Sequence, residues 1–160
     1  MSNPQVLIIM GSASDKPVMK ATEELLSEFG IPYETHIASA HRTPAKVMKL
    51  ASEAEGRGVK TIIAAAGLAA ALPGVVAAHT TLPIIGVPLD ASGLGGLDAL
   101  LSIVQMPPGI PVACVAIGKP GAENAAVLAA QMVGLTDATV AEKVKAYRAS
   151  MAEAVEAANK

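Results

Sequence analysis

His41 and Arg42 stand side by side in Ser39-Ala40-His41-Arg42-Thr43-Pro44. Imidazole is the side chain that titrates nearest neutrality, so it can give a proton and take it back. A guanidinium stays charged and offers paired N–H donors that match phosphate oxygens. Together they suit proton transfer on an anionic substrate, although six polar residues can equally form a plain solvated loop. Gly11-Ser12-Ala13-Ser14-Asp15 is a second polar cluster. Free backbone N–H groups that open a helix attract anions, and the Ser12 and Ser14 hydroxyls could bond a phosphate or a ribose. Asp15 repels a phosphate and so suits a hydroxyl or an amine. The plainer alternative is that Ser14 and Asp15 only cap a helix. No Gly-Lys-Ser/Thr ends this cluster, and the later glycines of a dinucleotide fingerprint are missing.

Both clusters need a scaffold that brings loops to one rim. Val6–Met10 is continuously apolar and ends at Gly11, which predicts a strand buried on both faces of a parallel sheet. A helix follows, with Pro17 in its first turn, Val18, Met19, Thr22, Leu25, Leu26 and Phe29 on one face, and Gly30 as its stop. Further strands are predicted over 33–38, 61–66, 84–87 and 112–117. Thr43 is placed to cap a second helix that turns Val47, Met48, Ala51 and Ala54 inward and closes at Gly56 and Gly58. Residues 67–74 read as a small-residue loop, 75–79 as a short helix and 89–96 as a glycine-rich, mobile connection. Leu97–Val104 reads as a helix with Leu97, Leu100, Leu101 and Val104 inward, and 121–133 as an alanine-rich helix. Strands that alternate with helices in this way imply a three-layer α/β fold, a parallel sheet with helices on both faces. Ligands of such sheets bind beyond the carboxyl ends of the strands, where both polar clusters fall. An appended helix over 137–158, with Val140, Val144, Tyr147, Met151 and Val155 as its stripe, is expected to pack on a neighbouring subunit rather than on its own core.

The 160 residues suffice for one domain, 1–160, with a sizeable core. Half the chain is apolar (52%) but only 2% is aromatic, so Ala, Val, Ile, Leu and Met must fill that core. A net charge of −2 gives no reason to expect nucleic acid or an anionic membrane as partner. The lone cysteine, Cys114, excludes an intrachain disulfide and a cysteine-rich metal site; within its apolar run it reads as an inert thiol. His36 alternates within a strand and reads as structural or solvent-facing. Neither it nor His79 forms a metal-ligand set with His41. No apolar run reaches spanning length and residues 1–5 lack a signal-peptide pattern, so a soluble cytoplasmic protein is expected.

Gly11-Ser-Ala-Ser-Asp15, Ser39-Ala-His-Arg-Thr-Pro44, Leu72-Pro-Gly74, Leu101-Ser-Ile-Val-Gln-Met-Pro107 and Asn124-Ala-Ala126 resemble, in order and spacing, the catalytic subunit family of phosphoribosylaminoimidazole carboxylase. Within it, the chain is most similar to the N5-carboxyaminoimidazole ribonucleotide mutase class of purine biosynthesis. The resemblance covers nearly the whole chain. It implies flavodoxin-like subunits assembled as homo-octamers, with sites near subunit boundaries and no metal or other cofactor. It implies that the carboxylate moves from N5 to ring carbon C4 of the ribonucleotide through bound carbon dioxide. By the same resemblance, His41 transfers the proton. Gly11, Ser12, Ser14, Asp15, Ser39 and Arg42 bind the ribonucleotide, Arg42 at its phosphate and Asp15 at ribose hydroxyls. Gly67, Ala71, Leu72, Pro73 and Gly74 line the carbon dioxide pocket, and the loop through Gln105-Met106-Pro107 helps close the site.

One loop departs from the pattern. Where the mutase class has Ala-Gly-Gly-Ala-Ala-His-Leu-Pro-Gly, this chain has Leu68 in place of the second glycine and Ala71 in place of the histidine. Direct carboxylases, which use free carbon dioxide, also lack that histidine but carry Arg-Ser-Asn in the loop, which is absent here. Mutase is the leading expectation and direct carboxylation the alternative. His79, eight positions from Ala71, reads as a surface or interface histidine rather than a replacement. A non-catalytic nucleotide or flavin-binding module is a third possibility, weakened because Phe29, Tyr33 and Tyr147 fall in helix or strand bodies.

Overall fold

The computed structural model describes residues 3–159. Five parallel strands form one sheet in the order β2-β1-β3-β4-β5: β1 (Val6–Met10), β2 (Tyr33–Ile37), β3 (Thr61–Gly67), β4 (Ile84–Leu89) and β5 (Ala113–Cys114). This is the order of flavodoxin-like sheets, with its switch point between β1 and β3. The helices are α1 (Lys16–Phe29), α2 (Pro44–Ala54), α3 (Leu72–Ala77), α4 (Leu97–Val104), α5 (Lys119–Gly134) and α6 (Ala138–Ala157).

The two-residue period of the strands divides the core in two. Val6, Ile8, Met10, Ile63, Ala65, Ile85 and Val87 meet α1, α5 and the start of α6. Leu7, Ile9, Ile62, Ala64 and Ile84 meet α2, α3 and α4 on the other side. On α1, Met19, Thr22, Leu25, Leu26 and Phe29 are buried, and Thr22 Oγ1 donates 2.7 Å to the Ala122 carbonyl. Gly30 ends the helix at φ 72°, a left-handed cap that glycine adopts without a Cβ clash.

Several expected details change. Thr43 precedes α2 but its hydroxyl bonds Ser39 instead of capping the helix. Met48 is exposed. Helix α3 starts at Leu72 instead of residue 75, so it includes part of the expected loop. On α4 the sheet-facing residues are Ala99 and Ile103, and Leu97, Leu101 and Val104 are each about half exposed. Gly86 explains this choice: Ile103 Cγ2 fills the space where a Cβ on residue 86 would stand, with Val112 and Pro73 close beside it, so the glycine admits the Ile103 side chain. The helix carries more leucine than this slot can cover.

Strand β5 keeps two residues of the six expected. Val115 N–H still donates to the Gly86 carbonyl and Gly118 N–H to the Pro88 carbonyl. The Pro88 carbonyl faces β5, so the N–H that proline lacks is missing on that same side, and the regular ladder stops. Cys114 is half-buried there, and burial pushes its thiol pKa up, away from the thiolate. The first half of α6 packs on its own chain. Val140 and Val144 are buried, Tyr147 meets Phe29 edge-on at 5.5 Å, and Lys143 Nζ donates to the Phe29 carbonyl. Its second half leaves Met151 and Val155 exposed. No helix of the described residues is long and apolar enough to cross a membrane.

Candidate active site

A cleft of about 600 Å³ opens beyond the carboxyl ends of β1, β2 and β3. Gly11, Ser12, Ser14 and Asp15 come from the turn after β1, and Ser39, Ala40, His41 and Arg42 from the loop after β2. Ala66, Gly67, Leu68, Ala69, Ala70, Ala71 and Leu72 come from the exit of β3, and Ala91 from the loop after β4. The polar clusters, 24 or more residues apart in sequence, therefore share one crevice at the switch point of the sheet.

The first turn is held by its own side chains. Asp15 stands at the N-cap position of α1, as expected of it, but makes no side-chain cap bond there. Ser12 caps the single 3-10 turn Ala13–Asp15 that precedes the helix, where its Oγ accepts from Ser14 N–H at 3.3 Å and Asp15 Oδ2 accepts from Ser12 N–H at 2.9 Å. Ser14 Oγ donates to Ser12 Oγ at 2.9 Å. The carboxylate thus occupies a backbone donor that an anion would otherwise use, so this turn suits hydroxyl donors better than a phosphate. Asp15 is 8% exposed, and burial pushes its pKa above the ordinary 3.8, against the opposing pull of Ser12, Ser14 and Arg42.

The second loop is fixed by a reciprocal pair. Ser39 N–H donates to Thr43 Oγ1 at 2.9 Å, Thr43 Oγ1 donates back to the Ser39 carbonyl at 3.2 Å, and Arg42 N–H donates to Ser39 Oγ. Arg42 also reaches across the crevice: its Nη2 donates 3.1 Å to the Gly11 carbonyl, and its Nε lies 3.4 Å from Ser39 Oγ. His41 is exposed at the rim and makes no side-chain hydrogen bond among the described residues. Both ring nitrogens are therefore free for a ligand.

The third wall is apolar. At Gly67 a Cβ would stand 2.5 Å from Ala91 Cβ, so glycine is what lets the loop after β4 come this close. Nothing in the sequence marked Ala91, which carries no chemical group. Leu68 has φ 56°, the one non-glycine residue in the left-handed region among those described. That conformation costs an L-residue about 1–2 kcal/mol. Ala71 and Leu72 line the cleft, but Pro73 and Gly74 do not. They lie in α3, where Pro73 is buried toward Gly86 and Gly74 lies against Met106. Gln105, Met106 and Pro107 are likewise outside this chain's cleft lining, and so is His79, beyond the far end of α3. None of Phe29, Tyr33 or Tyr147 lines the cleft, so no ring is placed to stack on a flavin. His36 sits 3.6 Å from Glu34 on β2, away from the cleft.

Comparison with known proteins gives concordant results. The family model described as AIR carboxylase matches residues 5–154. N5-carboxyaminoimidazole ribonucleotide mutase of Vibrio parahaemolyticus is 53% identical over 151 residues, covering 94% of each chain. The protein of the same name from Thermotoga maritima is 57% identical over 148 residues, 92% of this chain and 85% of that one. Among solved structures, Treponema denticola PurE superposes with a TM-score of 0.86 at 35% identity, covering 95% of this chain and 94% of that one. A sheet in 2-1-3-4-5 order, a crevice built by the serine–aspartate and histidine–arginine loops, and a family match over nearly the full length agree on one assignment: the chain belongs to the AIR carboxylase family.

Proposed function

We propose that the chain is an N5-carboxyaminoimidazole ribonucleotide mutase, an isomerase of purine biosynthesis. The observation that carries this reading is the convergence of His41, Arg42 and Asp15 with the small apolar wall 66–72 in one crevice. Arg42 keeps N–H donors beyond those it spends on Gly11 and Ser39, and these serve the substrate phosphate. Asp15, with Ser12 and Ser14, accepts from the ribose hydroxyls. Gly67, Ala71 and Leu72 form the space for carbon dioxide.

The chemistry moves protons and carbon dioxide without redox change. Cleavage of the N5–carboxylate bond leaves its electron pair on nitrogen, which takes a proton from His41. The π electrons of C4 then bond the carbon of carbon dioxide. The proton on C4 returns to His41 as the ring regains aromaticity, so one group acts as acid and then base. Neither step calls for a metal or an organic cofactor. A small dry wall keeps the intermediate beside C4.

We place the active form in a homo-oligomer, an octamer by resemblance. The half-exposed leucines of α4, the exposed end of α6 and the open position of His41 support this, since a neighbouring chain would cover all three.

Ala71, which leaves the third wall without an imidazole, favours a second reading, direct carboxylation of aminoimidazole ribonucleotide with free carbon dioxide. Two assays separate them. Turnover of the N5-carboxylated ribonucleotide well above that of aminoimidazole ribonucleotide plus bicarbonate is expected; activity only with the second pair overturns the mutase. His41→Asn should abolish turnover while ribonucleotide binding persists, and a nearly active variant removes His41 from the proton path.

A further inference from the structure

Leu68 occupies a conformation that glycine would adopt freely, at φ 56°. Its side chain gains little from the core in return, being 56% exposed. A strained residue persists where something other than its own packing favours it, and such residues cluster at ligand-binding positions. Leu68 lines the crevice, in the segment leaving β3 that also brings Ala70 and Ala71 to it, and His41 lines the same crevice from the loop after β2. The left-handed turn follows directly on Gly67, which is locked against Ala91. The backbone there has little freedom to relax, so the Cα–Cβ bond of Leu68 leaves the chain in a set direction.

We propose that Leu68 is a positioning residue, an apolar cover that keeps carbon dioxide inside the crevice between its release from nitrogen and its capture by C4. This rests on the mutase reading above. A polar or absent side chain at the rim would admit water and let the gas escape; a branched aliphatic one excludes water without offering it a hydrogen bond. The cover adds nothing to the bond-making itself. It sets the partition between carboxylated product and lost carbon dioxide.

The test compares wild type with Leu68→Gly, Leu68→Ala and Leu68→Met, supplied with the N5-carboxylated ribonucleotide in [13C]bicarbonate buffer. Leu68→Gly is expected to raise Tm, because the strain is gone, yet to release several-fold more aminoimidazole ribonucleotide per product formed and to incorporate more label. Leu68→Ala keeps the strain and loses the cover, so it should leak similarly without the gain in Tm. Leu68→Met should restore most of the partition. A merely structural role would move Tm and leave the partition unchanged, and that result overturns the proposal. So does a Leu68→Gly protein that changes its assembly mass but not its partition, which would assign the side chain to a subunit contact. If wild type itself does not convert the N5-carboxylated substrate, the mutase reading fails first and the cover fails with it.

Discussion

Substituting Gly67 by alanine tests how the apolar wall is built. The new Cβ would stand 2.5 Å from Ala91 Cβ and 3.2 Å from the Leu89 carbonyl oxygen. Non-bonded carbons rest about 3.5–4.0 Å apart, so the Ala91 segment must retreat by roughly 1 Å. Overpacking of this kind costs about 1–3 kcal/mol. Alanine returns about 0.4–1 kcal/mol by restricting the unfolded chain, because Gly67 is not among the residues with positive φ. A net loss of up to about 2.6 kcal/mol is expected, read as a lower urea midpoint at constant m-value. Ala91 is also cleft wall, and displacing a site by about 1 Å can lower kcat/KM by up to about 10²-fold. Gly56→Ala is the control: nothing lies within 4 Å of its Cβ position, so it should be neutral or slightly stabilising and fully active. A Gly67→Ala protein with wild-type midpoint and wild-type kcat/KM would show that the contact with Ala91 does not hold the wall.

Asp15→Asn should separate stability from binding. The folded pKa of Asp15 lies above the ordinary 3.8, so the fold holds its proton more tightly than the unfolded chain does. Stability from this group therefore falls as pH rises from the unfolded pKa through the folded one, and stays lower at neutral pH. The neutral amide escapes that loss: its denaturation midpoint should exceed wild type at pH 7, with the difference closing as pH falls toward 3.8, while KM for the ribonucleotide rises. A lower midpoint at pH 7 would refute the burial argument. Light scattering on the purified protein should give several times the chain mass of 16.1 kDa, and a particle of one chain mass would remove the oligomer from the proposed function.

The parts of the fold set by local pattern were legible in the sequence. Val6–Met10 could only be a doubly buried strand, and the spacing from Met19 to Phe29, closed by Gly30, could only be an amphipathic helix. The two polar loops were legible because their residue types are rare together and fall after strands. What failed depended on partners distant in sequence. The inward face of α4 was decided by a slot at Gly86, and the length of β5 by a proline on its neighbour. The Thr43 hydroxyl had a nearer use in its own loop. Ala91 was invisible as a wall residue, since a close approach leaves no mark on residue type; Leu68 stood out as a departure in its loop, but its left-handed backbone angle did not.

The span from Arg42 Nη2 to the Gly11 carbonyl joins two loops that arise from different strands. With it in place, the loops are already assembled when a ligand arrives, and their ordering entropy is lost during folding instead of during binding. A guanidinium has five N–H donors, so an incoming phosphate can dock on those left over while the bridge stays closed. Affinity at this rim then becomes a property of the pre-arranged pair of loops, and a lysine, which offers only a point charge, would keep the attraction and lose the preorganisation.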